Sequence, residues 1–192
     1  IRVFGGPGVY GGSSADSCTI RGAEYGIHHT NTGSIAISHC NIAAGVSGVE
    51  LNELTGAVNL YSIRRNTFGR ITGAGAGDFT VLLEVRSANE GTRVAIENNI
   101  FQNYLRFGVL ANRYDSLRVA NNIFSPTPSA ADYESLHLTT RRRGTSPPPT
   151  APAAHQTAIL GNTFNGTASS RGRAIVFSRY QSSYDFAGVT LG

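Results

Sequence analysis

One short pattern recurs along this chain and restricts its fold more than any other feature. It reads apolar, any, Ile or Val, any, any, Asn, any, Phe. Four copies are clear: Tyr61, Ile63, Asn66 and Phe68; Val94, Ile96, Asn99 and Phe101; Leu117, Val119, Asn122 and Phe124; Thr157, Ile159, Asn162 and Phe164. Two weaker copies precede them. Ile35, Ile37, Cys40 and Ile42 keep the spacing with Cys at the Asn position, and Cys18, Ile20, Ala23 and Tyr25 keep it with Ala and Tyr. Ala187 and Val189 would begin a seventh.

The anchors fall at positions 20, 37, 63, 96, 119, 159 and 189, so the period is irregular. Helical repeats stack whole helices and need a nearly constant period. Stacked strands need only their own register, and the loops between them vary freely. The pattern therefore predicts an all-β chain: a right-handed parallel β-helix of roughly six to seven coils, forming a single domain over 1–192.

Each part of the motif has a physical task. Two apolar residues two apart point to one face of a strand. Asn tolerates left-handed backbone angles and is expected to take the bend. Stacked amides can bond from coil to coil as a ladder. The residue after the bend points inward, so Tyr25, Ile42, Phe68, Phe101, Phe124 and Phe164 should form one internal stack.

Cys18 lies five positions before the corner of its own copy, roughly 15 Å along a strand. A disulfide needs Cα atoms within about 7 Å. Two free thiols are therefore expected, with Cys40 in the ladder column.

A second strand should follow each motif: 26–31, 48–54, 80–86, 108–114, 135–141 and 173–180. The stretch 142–156 carries a run of prolines, which cannot enter a ladder and predicts a surface excursion. The 23 glycines suit many tight bends between short strands. Charged residues make up 15% of the chain and no apolar run is long enough for a bilayer, so disorder and a membrane span are both disfavoured. The chain begins at Ile1 and carries no capping unit, so a processed or longer protein is expected, with further coils or self-association at its ends.

The motif resembles the pectin-lyase-like superfamily of parallel β-helices, with their Asn ladders and internal aromatic stacks. The resemblance runs from Cys18 onward and implies an extracellular or cell-surface protein. Within that superfamily it leaves a structural reading (adhesin shaft, surface-layer or filament subunit with a glycan-binding face) and an enzymatic one (polysaccharide lyase or glycoside hydrolase, including the tailspike type). The catalytic patterns of the superfamily are missing. All sixteen basic residues are Arg, so no Lys can serve as base, and Asp16, Asp78, Asp115, Asp132 and Asp185 are scattered over different coils. The histidines and cysteines show no metal-ligand spacing, and neither a metal nor a cofactor is implied. His28 and His29 should point to opposite faces of a strand.

Aligning the second strands on Ile27, Val49, Val81, Val109, Leu136 and Ile175 predicts an outward polar face. On it lie Asn52, Arg86, Asn112, Tyr114, Arg141 and Tyr180, in rows about 4.8 Å apart. Arg113 and Arg179 sit nearby; strict alternation would turn them inward, so they are expected to mark strand ends where the chain bends outward. Such rows suit a polysaccharide lying across the coils, with Tyr rings to stack and Arg and Asn to bond hydroxyls or carboxylates. In this alignment Glu50 and Glu84 are diagonal neighbours, roughly 7–8 Å apart. That falls in the range of about 6.5–9.5 Å for inverting glycosidases, which makes them the weak catalytic candidates. The net charge of +4 alone supports nucleic acid as a partner, and the aromatic residues sit mainly in the expected core, so nucleic acid ranks last.

Overall fold

The computed structural model describes residues 2–4, 8–12, 17–22, 24–30, 33–52, 60–70, 81–86, 92–112, 114, 116–130, 132–140, 156–167, 171–179 and 189–192. These form a right-handed parallel β-helix of three sheets, in which every strand pairs with its equivalent one coil away. The first sheet stacks Arg2–Phe4, Tyr25–Thr30, Ser47–Asn52, Val81–Arg86, Phe107–Asn112, Glu134–Thr140 and Arg173–Arg179. The second stacks Gly8–Gly11, Ile35–Ser38, Leu60–Arg64, Arg93–Glu97, Ser116–Ala120, Gln156–Leu160 and Val189–Leu191. The third stacks Cys18–Gly22, Cys40–Ala44, Thr67–Arg70, Ile100–Tyr104, Ile123–Pro126 and Thr163–Phe164. The expected excursion over 142–156 lies outside the described residues, apart from Gln156, which opens a strand.

Each motif spans the second sheet, the corner and the start of the third. The apolar pair, such as Tyr61 and Ile63 or Val94 and Ile96, is buried. At the corner each Asn is fully bonded. Asn99 Nδ2 donates to the Ile63 carbonyl at 2.9 Å and to Asn122 Oδ1 at 3.0 Å. Its own Oδ1 accepts from the backbone N–H of Asn66 at 3.0 Å and from Asn66 Nδ2 at 3.1 Å. Asn66, Asn122 and Asn162 repeat the pattern, so the amides form a continuous ladder.

The left-handed residue at this bend is not the ladder Asn, as expected, but the residue before it. His39, Arg65, Asn98 and Asn121 have φ between 52° and 57°, and Gly161 has 58°. The ladder Asn must keep its side chain inside the coil to reach both neighbours, so its predecessor makes the turn. That column holds Asn twice and Gly once, the residues that adopt this conformation at least cost.

Behind the ladder, Phe68, Phe101, Phe124 and Phe164 stack with centroids 4.8, 4.9 and 5.0 Å apart and planes within 10°. The first three rings are fully buried, and Phe164, on the outermost of these rungs, is partly buried.

The first coil departs from the expected register. Ile20 pairs with Ile42, and Cys18 pairs with Cys40. Ile20 therefore occupies the Phe column, Cys18 the Asn column, and Tyr25 joins the first sheet opposite Ser47. The strand that matches Ile35–Ser38 is Gly8–Gly11. Tyr10 pairs with Ile37, so the corner lies eight positions on from this point in the first coil and three positions on in the second. That extra length hid the first copy of the motif. With both cysteines in one column their Cα atoms are 4.5 Å apart, and they form a disulfide, not two free thiols. At the other end Val189–Leu191 does open another repeat, but Leu191, not Val189, pairs with Ile159.

Candidate functional site

The outer face of the first sheet carries the polar chemistry, and its register corrects the expected alignment. Val81 pairs with Ser47, and Leu83 with Val49. The outward column is therefore His28, Glu50, Glu84, Leu110, His137 and Val176. Glu84 lies directly across from Glu50, where equivalent positions are about 4.8 Å apart, and the diagonal spacing that suggested an inverting pair is gone. Both glutamates are buried, and Glu50 Oε2 lies 3.2 Å from His28 Nδ1. His29 faces the core beside Leu51, as alternation requires, so the two histidines do point apart.

Two residues further along, the backbone register aligns Thr30, Asn52, Arg86, Asn112, Thr139 and Ser178. Asn52 and Asn112 thus flank the backbone position of Arg86, and Arg179 lies on the last strand of the sheet. Arg113, Arg141 and Tyr180 lie outside the described residues. Tyr114 does not stand on the face as a free ring. It packs against the core, accepts a hydrogen bond from Thr157 at 3.3 Å, and burial pushes its pKa up to about 12.

The richest constellation lies near the end of this face at Arg173–Arg179, on residues that sequence reasoning did not select. His137 Nδ1 bonds Glu134 Oε2, and His137 Nε2 lies 2.7 Å from Ser178 Oγ. Thr139 Oγ1 is 2.8 Å from the same Ser178 Oγ. The Phe107 ring stands edge-on to the imidazole, with centroids 5.5 Å apart. Strict alternation would put Glu134 and His137 on opposite faces. They share one because Ser135 and Leu136 both turn inward; both are buried, and Ser135 bonds Tyr104 Oη at 2.6 Å. The same double-inward step occurs at Leu82 and Leu83. One coil earlier the step falls at Gly48, where a Cβ would sit 2.5 Å from the Leu82 carbonyl.

Beside Glu134 opens a cleft of about 780 Å³. Arg106, Arg171 and Arg173 line it together with Tyr133, Asp132 and Ser129. All three arginines are exposed, and Arg173 reaches Glu134 at 3.5 Å. These arginines were legible only as part of the net charge, because the loops that gather them obey no period. On the second sheet Glu97 accepts from Arg64 at 2.9 Å and Arg118 at 2.7 Å, an exposed ladder of charges. Among the described residues no three His, Cys, Asp or Glu side chains gather to hold a metal, and no helix is long and apolar enough to cross a membrane.

The fold and this face together define a parallel β-helix with a polar lateral surface. No family model, no curated protein and no solved structure matches the chain.

Proposed function

We propose that this is an extracellular or cell-surface β-helix of the pectin-lyase-like kind, a rigid structural element that binds an acidic glycan along its first sheet. The observation that carries the reading is the cleft lined by Arg106, Arg171 and Arg173 beside Tyr133. Guanidinium groups match sugar carboxylates in a two-point geometry. Further along the same sheet Asn112 and Thr139 pair in register, polar residues that suit hydroxyls, and the coil spacing suits a polymer crossing several rungs. The Cys18–Cys40 disulfide supports an oxidising compartment, since such bonds are rare in reducing cytosol.

Titration with a defined oligogalacturonate, set against a neutral dextran oligomer of equal length, tests the reading. The acidic oligomer should bind and the neutral one much less, with affinity falling as salt is raised. Replacing Arg106, Arg171 and Arg173 together by Ala should weaken binding at least about tenfold, on the scale of charge-assisted hydrogen bonds. Binding indifferent to both salt and these arginines would refute it.

A further inference from the structure

We propose that Ser178, His137 and Glu134 form a nucleophile, base and orienting carboxylate that hydrolyse a carboxylic ester on the outer face of the helix. The geometry meets the three requirements of an activated hydroxyl. The nucleophile touches its base, at 2.7 Å from Ser178 Oγ to His137 Nε2. The base is held by a third group, because Glu134 accepts from His137 Nδ1. That bond keeps the proton on Nδ1 and turns the Nε2 lone pair towards Ser178. The whole set is partly open, with the His137 side chain 19% exposed and that of Glu134 17%.

The remaining contacts fit the same role. The Ser178 proton points at His137, so Thr139 donates its own O–H to Ser178 Oγ. One lone pair of that oxygen is left for attack. Phe107 packs edge-on against the imidazole and limits its rotation. The comparable pair elsewhere on this face, His28 and Glu50, has an aromatic neighbour in Tyr25 at 5.1 Å. Its aligned positions carry Thr30 and Asn52 where the other pair meets Ser178 and Thr139, and His28 Nδ1 makes no well-angled hydrogen bond. A sheet that merely paired His with carboxylate for packing would not need the hydroxyl at Nε2.

The reaction balances with water alone as co-reactant. Ser178 Oγ attacks the ester carbonyl carbon while its proton passes to His137 Nε2. As Oγ becomes bonded to carbon, the Thr139 O–H is freed to donate to the oxygen on which charge builds. The carbon–oxygen bond to the alcohol breaks, and the leaving alkoxide takes the proton from His137. A water then gives its proton to Nε2, attacks the acyl-serine and releases the acid, and Ser178 regains its hydrogen. The substrate class is a short acyl ester such as an O-acetyl group. Its placement on an acidic glycan rests on the cleft reading above, because Glu134 lines that cleft; the ester chemistry does not.

Two measurements on the whole chain test it. A fluorophosphonate probe should label the protein at Ser178, located by peptide mass. Turnover of p-nitrophenyl acetate should drop at least about a hundredfold in Ser178→Ala and in His137→Gln, in line with loss of a nucleophile or its base. Both variants should still unfold in a single cooperative transition, which separates lost chemistry from a lost fold. Labelling absent from Ser178, with ester turnover unchanged by Ser178→Ala, overturns the proposal whatever the glycan result. Loss of glycan binding with ester turnover intact would overturn only the cleft reading.

Discussion

Along one corner of the coil, two rungs are joined by a disulfide and four by amides. Cys18 and Cys40 occupy the column that Asn66, Asn99, Asn122 and Asn162 continue, and the Cys40 N–H still donates to Asn66 Oδ1 at 3.0 Å. The column behind changes at the same rung, from Ile20 and Ile42 to Phe68, Phe101, Phe124 and Phe164. Neighbouring rungs hold equivalent atoms about 4.8 Å apart whatever the residue. That spacing suits an amide bonding to the next amide, flat rings lying on one another, or two cysteines bridged covalently. The backbone sets the position, and several chemistries fill it.

The comparison is broken most severely at the middle of the ladder. Asn99→Ala leaves the Asn66 N–H, one Asn66 amide hydrogen and the Ile63 carbonyl buried without their partner. At about 1–3 kcal/mol for each of these three buried groups, the loss should be about 3–9 kcal/mol. Asn162→Ala, on a partly buried rung, should lose much less. Urea midpoints of the two variants give the difference. Phe101→Ala, which opens a cavity between two stacked rings, should cost about 3–5 kcal/mol by the same assay.

The covalent end should come next. The disulfide spans 22 positions. Replacing both cysteines by Ser should cost about 3 kcal/mol, the scale of loop-closure entropy for a loop of that length. Replacing both by Asn sharpens the contrast. If position alone defines the column, the ladder gains two rungs, and the Asn pair should melt above the Ser pair and below the disulfide form.

Alkaline pH should have the smallest effect. Burial raises the pKa of Tyr104 well above the ordinary tyrosine range, and it pushes that of Tyr114 up to about 12. Both groups therefore hold their protons longer in the folded chain than the ordinary tyrosine value of about 10 allows unfolded. Their contribution is complete below about pH 10 and is lost as pH rises through the folded values. A melting series from pH 9 upward should show this decline, and Tyr104→Phe should flatten it.

How much of this could be read from the chain follows the same divide. The four Asn–Phe copies were legible because strand, bend and ring keep one spacing, and they carried the fold class and the core stack. The first coil was not, because extra residues lie between Tyr10 and Cys18 and the corner holds no Asn. The register of Val81–Arg86 was also missed. Val81, Leu83 and Val85 are equally good apolar anchors, and choosing the wrong one slides Glu84 by two places. The Ser178, His137 and Glu134 set was invisible to alternation, since Ser135 and Leu136 turn inward together. Only Glu134 and His137 three apart, on a strand with a buried polar Ser135, hinted at that step.

The central claim is that the two cysteines sit in one column with the ladder asparagines, and one measurement reaches it directly. The chain has no Lys, so trypsin cuts only after Arg, and Arg21 lies between the cysteines. Digestion without reduction, on protein isolated from an oxidising compartment and alkylated first, should yield peptide 3–21 covalently joined to peptide 22–64, at their summed mass less two hydrogens. Reduction should separate them. Finding both peptides apart, each alkylated at its cysteine before any reduction, would contradict the shared column and with it the register of the first coil.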